Sequence, residues 1–154
     1  MNLIFRRFRS EYYPDYASWF SDPELNRRLG PMDRDWLDCV LSEPEAAGEV
    51  WAVFRGPELV AVVETAYDPQ GTLPAAITGV ATKPALRRQG IGVAVLRHII
   101  AVHRSRGIAE QIAYISVDNL AGRRCAESAG FAAVQAEPGE HGYVEFRLRQ
   151  PADL

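Results

Sequence analysis

Apolar residues recur along this chain in two periods, and the densest run of period two lies at 49–67. It reads as two strands, 49–55 and 58–67, joined at Arg55-Gly56-Pro57, a tight-hairpin signal. In the second strand, alternation puts Val60, Val62, Glu64 and Ala66 on one face and Leu59, Ala61, Val63 and Thr65 on the other. Glu64 therefore interrupts an apolar stripe. Buried there, its carboxyl would titrate high, as a general base near neutrality requires; on a strand leaving the core it would simply meet water. A looser alternation at 2–9, with Leu3 and Phe5 opposite Ile4, predicts a first strand at or near a sheet edge.

Period-3.6 spacing takes over elsewhere. Tyr12, Tyr16, Trp19 and Phe20, and then Trp36, Leu37, Val40 and Leu41 after Pro31 and Asp33, predict two short helices within 11–48. Ile91, Val95, Leu96, Ile99 and Ile100 form the apolar face of a long helix from 90 to about 106, with Arg97, His98, Arg104 and Ser105 outward and Gly107 as its C-cap. Strands are predicted at 75–82 and 111–117, a helix at 119–129, and a closing hairpin of 131–135 with 143–148 across Glu137-Pro138-Gly139-Glu140. The sum is an α+β fold of about seven strands and four helices, without internal repeats.

At 154 residues the chain is expected to form a single domain spanning 1–154. It has no apolar run long enough to span a membrane, and its basic first ten residues do not make an export signal, so a cytoplasmic protein with no membrane partner is expected. The cysteines, Cys39 and Cys125, are far apart and form no CxxC pair, which fits a reducing compartment. A net charge of −3, with Lys83 the one lysine, gives no general basic surface for nucleic acid. His98 and His103 lack a carboxylate or cysteine at ligand spacing, so no metal site is expected and both read as surface residues. Asp22, Glu24, Asp33, Asp35 and Asp38 cluster among aromatics, either as a lip attracting a cationic acceptor or as a solvated face balanced by Arg27, Arg28 and Arg34.

The most informative stretch is 77–107, a strand, a basic turn closing on Arg87-Arg88-Gln89-Gly90-Ile91-Gly92, and the long helix. Gly90 and Gly92 leave the helix mouth uncovered, so unpaired amides and the positive end of the helix dipole face one small volume suited to a diphosphate. Arg87 and Arg88 can add charge-assisted bonds to phosphate oxygens. GxxxxGK followed by Ser or Thr is absent, and Val95 stands where a dinucleotide fingerprint needs its third glycine.

Arg87-x-x-Gly90-x-Gly92 after a strand and Pro84, followed by Asn119 and then Ala129-Gly130-Phe131, resembles the coenzyme A site of the GNAT superfamily of N-acetyltransferases. The stretch NLAGRRCAESAGF is most similar to the ribosomal-protein alanine and serine acetyltransferase (RimJ/RimL-type) branch. The resemblance implies a GNAT-like, mostly antiparallel central sheet flanked by helices. It also implies a transferase that uses acetyl-CoA as co-substrate, without metal, to acetylate a primary amine, either a peptide N-terminus or a small molecule, by direct attack in a ternary complex. Acetyl-CoA would place its diphosphate on the amides of Arg88, Gln89, Gly90, Ile91 and Gly92. Its pantetheine arm would lie along Val80, Ala81 and Thr82, and Asn119 would contact it through the side-chain amide; Asn119 would otherwise cap the helix it begins.

The chain departs from that family at its chemistry. Relatives often carry a tyrosine as general acid seven residues after the asparagine, where this chain has Ala126. Positions that often hold a glutamate base fall on Ala76, Thr78 and Tyr114. Glu64 is the candidate catalytic base, with Ser116 and Tyr143 as positioners through water; Cys125 reads as packing rather than as a nucleophile. Two other readings remain open, an acyl-CoA-binding module that has lost catalysis and a general nucleotide-binding protein. Acceptor choice is expected to depend on 11–48 and 136–142, and a homodimer through an edge strand near the C-terminus is left open.

Overall fold

The computed structural model describes residues 1–135 and 137–149. Residues 136 and 150–154 lie outside the described residues, and with them part of the 136–142 stretch expected to bear on acceptor choice. The strands are β1 (Ile4–Arg7), β2 (Gly48–Arg55), β3 (Glu58–Ala66), β4 (Ala75–Thr82), β5 (Glu110–Ser116), β6 (Ala132–Ala133) and β7 (Tyr143–Arg149). They form one 7-stranded sheet in the order β1-β2-β3-β4-β5-β7-β6. Every neighbouring pair is antiparallel except β4 and β5. This is the α+β architecture that the periodicities predict, with β1 at an edge.

Helices cover both faces. On one, α4 (Ile91–Ser105) and α5 (Leu120–Ser128) pack against Val53, Val60, Ala61, Val63, Val144 and Phe146. The apolar stripe of α4 is fully engaged, Ile91, Val95, Leu96, Ile99 and Ile100 all being buried. At roughly 1.5–3 kcal/mol for each large aliphatic side chain, this stripe alone contributes on the order of 10 kcal/mol before entropy is counted. Gly107, at φ +80°, ends the helix in a left-handed turn, with Ile108 N–H donating back to His103 O at 3.0 Å.

The other face carries α1 (Tyr13–Ser18), α2 (Pro23–Leu29) and α3 (Arg34–Ser42) over an aromatic core of Phe8, Tyr13, Tyr16 and Trp19. Three helices form where the spacing predicts two. The first periodic stretch is cut at Asp22-Pro23: proline cannot continue a helix across its own missing N–H, but it suits a first turn. Asp22 turns extended and its carboxylate accepts from Leu25 N–H at 3.0 Å, while Asp33 caps α3 in the same way through Trp36 N–H at 3.1 Å.

Strict alternation also fails in β3. Val53 pairs with Ala61 but Phe54 with Leu59, so Val60 is an extra residue in a β-bulge. Val60 and Ala61 then both face α4 with Val63, while Leu59 and Val62 face the aromatic core, and the predicted grouping of Val60 with Val62 is overturned. Glu64 stays on the aromatic side.

His103 is a second correction, because it is fully buried rather than at the surface. Gln111 Oε1 lies 2.7 Å from its Nδ1 and the Tyr67 hydroxyl 2.9 Å from its Nε2. Partners from β5 and from just past β3 make burial affordable, and desolvation pushes the imidazole below its ordinary pKa. The same network holds Glu49, 4% exposed, which accepts from Tyr67 Oη at 2.6 Å and from Arg7 and Arg106. Burial pushes Glu49 up, but the bonds from Arg106 and Tyr67, with the Arg7 charge, outweigh it and leave the carboxyl below its usual range.

Glu49→Gln should therefore lower stability by about 2 kcal/mol, below the full cost of breaking a buried pair because the arginines regain water. That corresponds to a Tm loss of roughly 4–8 °C in a domain of this size. A depressed carboxyl stabilises above its unfolded value of about 4.3 and loses that contribution as pH falls. Differential scanning calorimetry at pH 7 and below pH 4 should show the gap between wild type and variant at the first and its closure at the second.

Candidate active site

Between β3 and β4, Glu64 pairs with Gly79 but Thr65 with Ile77, so Thr78 is the extra residue of a second bulge. On its other side β4 meets β5 only at Ala75↔Gln111 and Ala76↔Ile112. Past these pairs the two strands part, and the rest of β4 has a free edge. Lys83 N–H donates to Val60 O at 2.9 Å, so alternation along the strand turns the amides of Val80 and Thr82 away from β3 and toward the gap. Ala81 faces the aromatic core and is buried.

The gap widens into a cleft of about 770 Å³ lined by β4, β5, the mouth of α4, one side of α5 and part of α2. At its far end Arg88 (φ 65°) and Gly90 (φ +79°) both adopt left-handed backbone. A β-carbon at Gly90 would meet no clash, so glycine is needed there for its φ alone. Arg88 takes the conformation without that freedom, at a cost of about 1–2 kcal/mol, which curls the loop amides inward into an anion-binding concavity. The first hydrogen bond of α4 runs from Ala94 N–H to Gly90 O at 3.1 Å, and no side chain caps the helix. The amides of Gly90, Ile91, Gly92 and Val93 thus precede the helix's own ladder. Gly92 answers to a different constraint: a β-carbon there would stand 3.1 Å from Cys125 Sγ, so a side chain would crowd α5 and make that sulfur shift by a few tenths of an ångström.

The residues expected to hold the coenzyme are distributed as follows. Val80, Thr82, Arg88, Gly90, Ile91 and Gly92 border the cleft. The Gln89 side chain turns away, its Oε1 accepting from Arg55 at 3.5 Å. The Arg87 guanidinium grips Asp22 with two bonds of 2.7 and 3.3 Å and holds that carboxyl below its usual range. Asn119 borders the cleft, and its Oδ1 caps α5 by accepting from Gly122 N–H at 3.0 Å. The acidic residues near α2 act mostly as caps and arginine partners: Glu24 bonds both Arg27 and Arg28, and Asp22 bonds Arg87.

Sequence reasoning missed the pairs that tie α2 across the cleft. Arg27 and Arg28 reach Asp118 at 3.4 and 3.3 Å, and Arg87 holds the other end of the helix at Asp22. The Ser116 hydroxyl and then Arg28 hold Asp118 down to about 2. Opposite charges at these positions are visible in the sequence, but their separation along it gives no sign of pairing.

Glu64 stands just behind the cleft wall. Its Oε2 lies 3.2 Å from where a β-carbon on Gly79 would be, and Oε1 accepts from Trp36 Nε1–H at 3.2 Å. Burial pushes its carboxyl above the ordinary glutamate range, the Trp36 bond opposes this, and the Glu43 charge adds to it. Ser116 and Tyr143 border the cleft, but the Ser116 hydroxyl donates to Asp118 at 2.6 Å. Ala126 is buried in the core, and burial raises the Cys125 thiol, which suits packing rather than a thiolate nucleophile.

Known proteins share this fold. The acetyltransferase (GNAT) family profile matches residues 5–131. An uncharacterized N-acetyltransferase of Bacillus subtilis (strain 168), YfmK, is 26% identical over 142 residues, covering 85% of this chain and 86% of the relative. The ribosomal-protein-S18-alanine N-acetyltransferase from Escherichia coli superposes with a TM-score of 0.71 at 18% identity, covering 99% of both chains. An aminoglycoside acetyltransferase, AAC(6')-Ib, solved with coenzyme A and kanamycin, superposes with a TM-score of 0.80 at 12% identity, covering 97% of this chain and 95% of that one.

Gly92→Asp should weaken coenzyme A binding at least about 100-fold, since a carboxylate would sit where the helix mouth is positive. Gly92→Ala, which adds only the crowding against Cys125 Sγ, should cost less than about tenfold. Isothermal titration with coenzyme A checks both, and circular dichroism reports whether either variant has lost its fold.

Proposed function

Because this chain belongs to the acetyltransferase (GNAT) family, we propose that it moves an acetyl group from acetyl-CoA to a primary amine by direct attack within a ternary complex. The observation that carries this reading is the free edge of β4 running straight into the uncapped mouth of α4. An extended arm can add to that edge as a strand would, and a diphosphate can end on the helix amides. When bound, acetyl-CoA supplies an activated acyl group on a leaving thiol whose pKa, about 8.5, lets it depart with little help. The fit is good on the protein's side: bare amides, a left-handed loop and the exposed Arg88 guanidinium meet at one end, and apolar Leu86, Val93 and Phe131 line the way.

The Val80 amide, directed into the gap, polarises the thioester carbonyl as charge develops on its oxygen. Glu64 takes the proton from the acceptor's ammonium. The freed lone pair forms the C–N bond, the C–S bond breaks with its electron pair on sulfur, and the second proton that nitrogen sheds as it becomes an amide passes through solvent to the thiolate. The base matters because an alkyl amine with a pKa near 10 is neutral in only about one molecule in a thousand at pH 7. Peptide N-termini and small-molecule amines both fit the reading. The NLAGRRCAESAGF stretch lies on the coenzyme side and does not choose between them.

Coenzyme A release measured over a panel of peptide and small-molecule amines tests the proposal; tight binding with no acceptor-dependent release would return the reading of a binding module without catalysis. With an accepted amine, Glu64→Gln should lower kcat by about 10²-fold at pH 7 while leaving coenzyme A affinity within twofold. The deficit should shrink toward pH 10, where the amine deprotonates unaided. A pH–rate profile checks this.

A further inference from the structure

Tyr16 is fully buried, yet its hydroxyl has no hydrogen-bond partner among the described residues. A buried phenol left unpaired costs roughly 1–3 kcal/mol, and phenylalanine would fill the same space without that cost. The ring is held on several sides at centroid distances of 5.1–5.8 Å by Phe8, Trp19, Phe20 and Trp36, so it cannot swing out to find water. Its neighbour Trp36 is also the residue that donates to Glu64 Oε1, which places phenol and carboxylate beside the same indole. Burial and the Glu64 charge both act on Tyr16 to keep its proton on, so the hydroxyl is a donor in search of an acceptor. Glu64 meanwhile has lone pairs to spare, with Oε2 over Gly79.

We propose that Tyr16 is a positioning residue for the transfer reaction, its hydroxyl joined to the Glu64 carboxylate through one bridging water that keeps the base ionised and aimed at the acceptor. This rests on Glu64 being the base. A water suits the place because it has a donor on one side and a carboxylate on the other. The groups that face Glu64 are few. Tyr16 comes from α1, Trp36 from α3 and Glu43 from just beyond α3, while α2 contributes Leu29 and β4 contributes Gly79, both uncharged. Of these only Tyr16 and Trp36 can donate to the carboxylate. Glu43 and burial both push the proton back onto it, so the loss of either donor should leave the base protonated at higher pH.

The test compares Tyr16→Phe with wild type in three ways. In full-length protein labelled with [¹³C]glutamate, the resonance lost in Glu64→Gln identifies the carboxyl. Its titration midpoint should rise by about one pH unit in Tyr16→Phe. Next, the hydroxyl has an ionised partner only above that midpoint. Tyr16→Phe should therefore melt below wild type when Glu64 is charged, and level with it or above it when Glu64 is protonated. Finally, with an accepted amine, the acid limb of kcat should move up by the same unit while the alkaline plateau and the affinity for coenzyme A stay unchanged. An unmoved carboxyl midpoint, or a rate loss equal at every pH, would overturn the proposal. Failure of all amines to release coenzyme A would instead remove the reading beneath it, and the first two measurements would still report on the Tyr16–Glu64 link.

Discussion

The bulge at Thr78 is the constraint on which this molecule's shape depends. A regular strand of this length would keep its pairing with both neighbours, and the sheet would close. One extra residue bends β4 after its second pair with β5 and leaves a row of main-chain donors and acceptors without a strand beside them. Exposed edges are ordinarily blunted because they invite pairing with any extended chain. Here the open edge is internal and flanked by helices, so only a slender extended molecule can use it.

Two features convert that edge into a directed slot. The α4 mouth lies at the end of the free edge, and its amides face outward because Gly90 and Arg88 are both left-handed and no side chain reaches back to cap them. The short α2 then bridges the opening, with Arg87 gripping its N-cap Asp22 and Asp118 holding Arg27 and Arg28. Exposed ion pairs of this kind contribute little to stability, about 0–1 kcal/mol each, but together they fix where a light helix sits. Arg87, which the sequence suggests for phosphate, borders the cleft and also holds the cover of the slot.

What could be read from the sequence was local. The buried stripe of α4, the glycines at its mouth and the left-handed stop at Gly107 all follow from residues within a few positions of one another, and each stands where the spacing puts it. What escaped was relational. The bulge at Val60 regroups side chains that alternation had sorted, because a bulge belongs to a pair of strands rather than to either sequence. His103 looks like a surface residue until Tyr67, just past β3, and Gln111 of β5 meet it. Asn119, which the sequence offers either as a cap or as a cofactor contact, spends its oxygen on capping α5.

The position of Glu64 ties these observations together. Its strand partner in β4 is a glycine, and the space a side chain would have filled there is where the carboxylate leans. A larger residue at 79 would have to displace Glu64 or forfeit its place, so the glycine and the acid form a single arrangement across two strands. The aromatic layer of α1 and α3 completes the environment by excluding bulk water, which raises the carboxyl's proton affinity toward the range a base needs near neutrality. The bulge that frees the edge also fixes which residue of β4 stands opposite Glu64, so the slot and its acid are set by one irregularity in the strand.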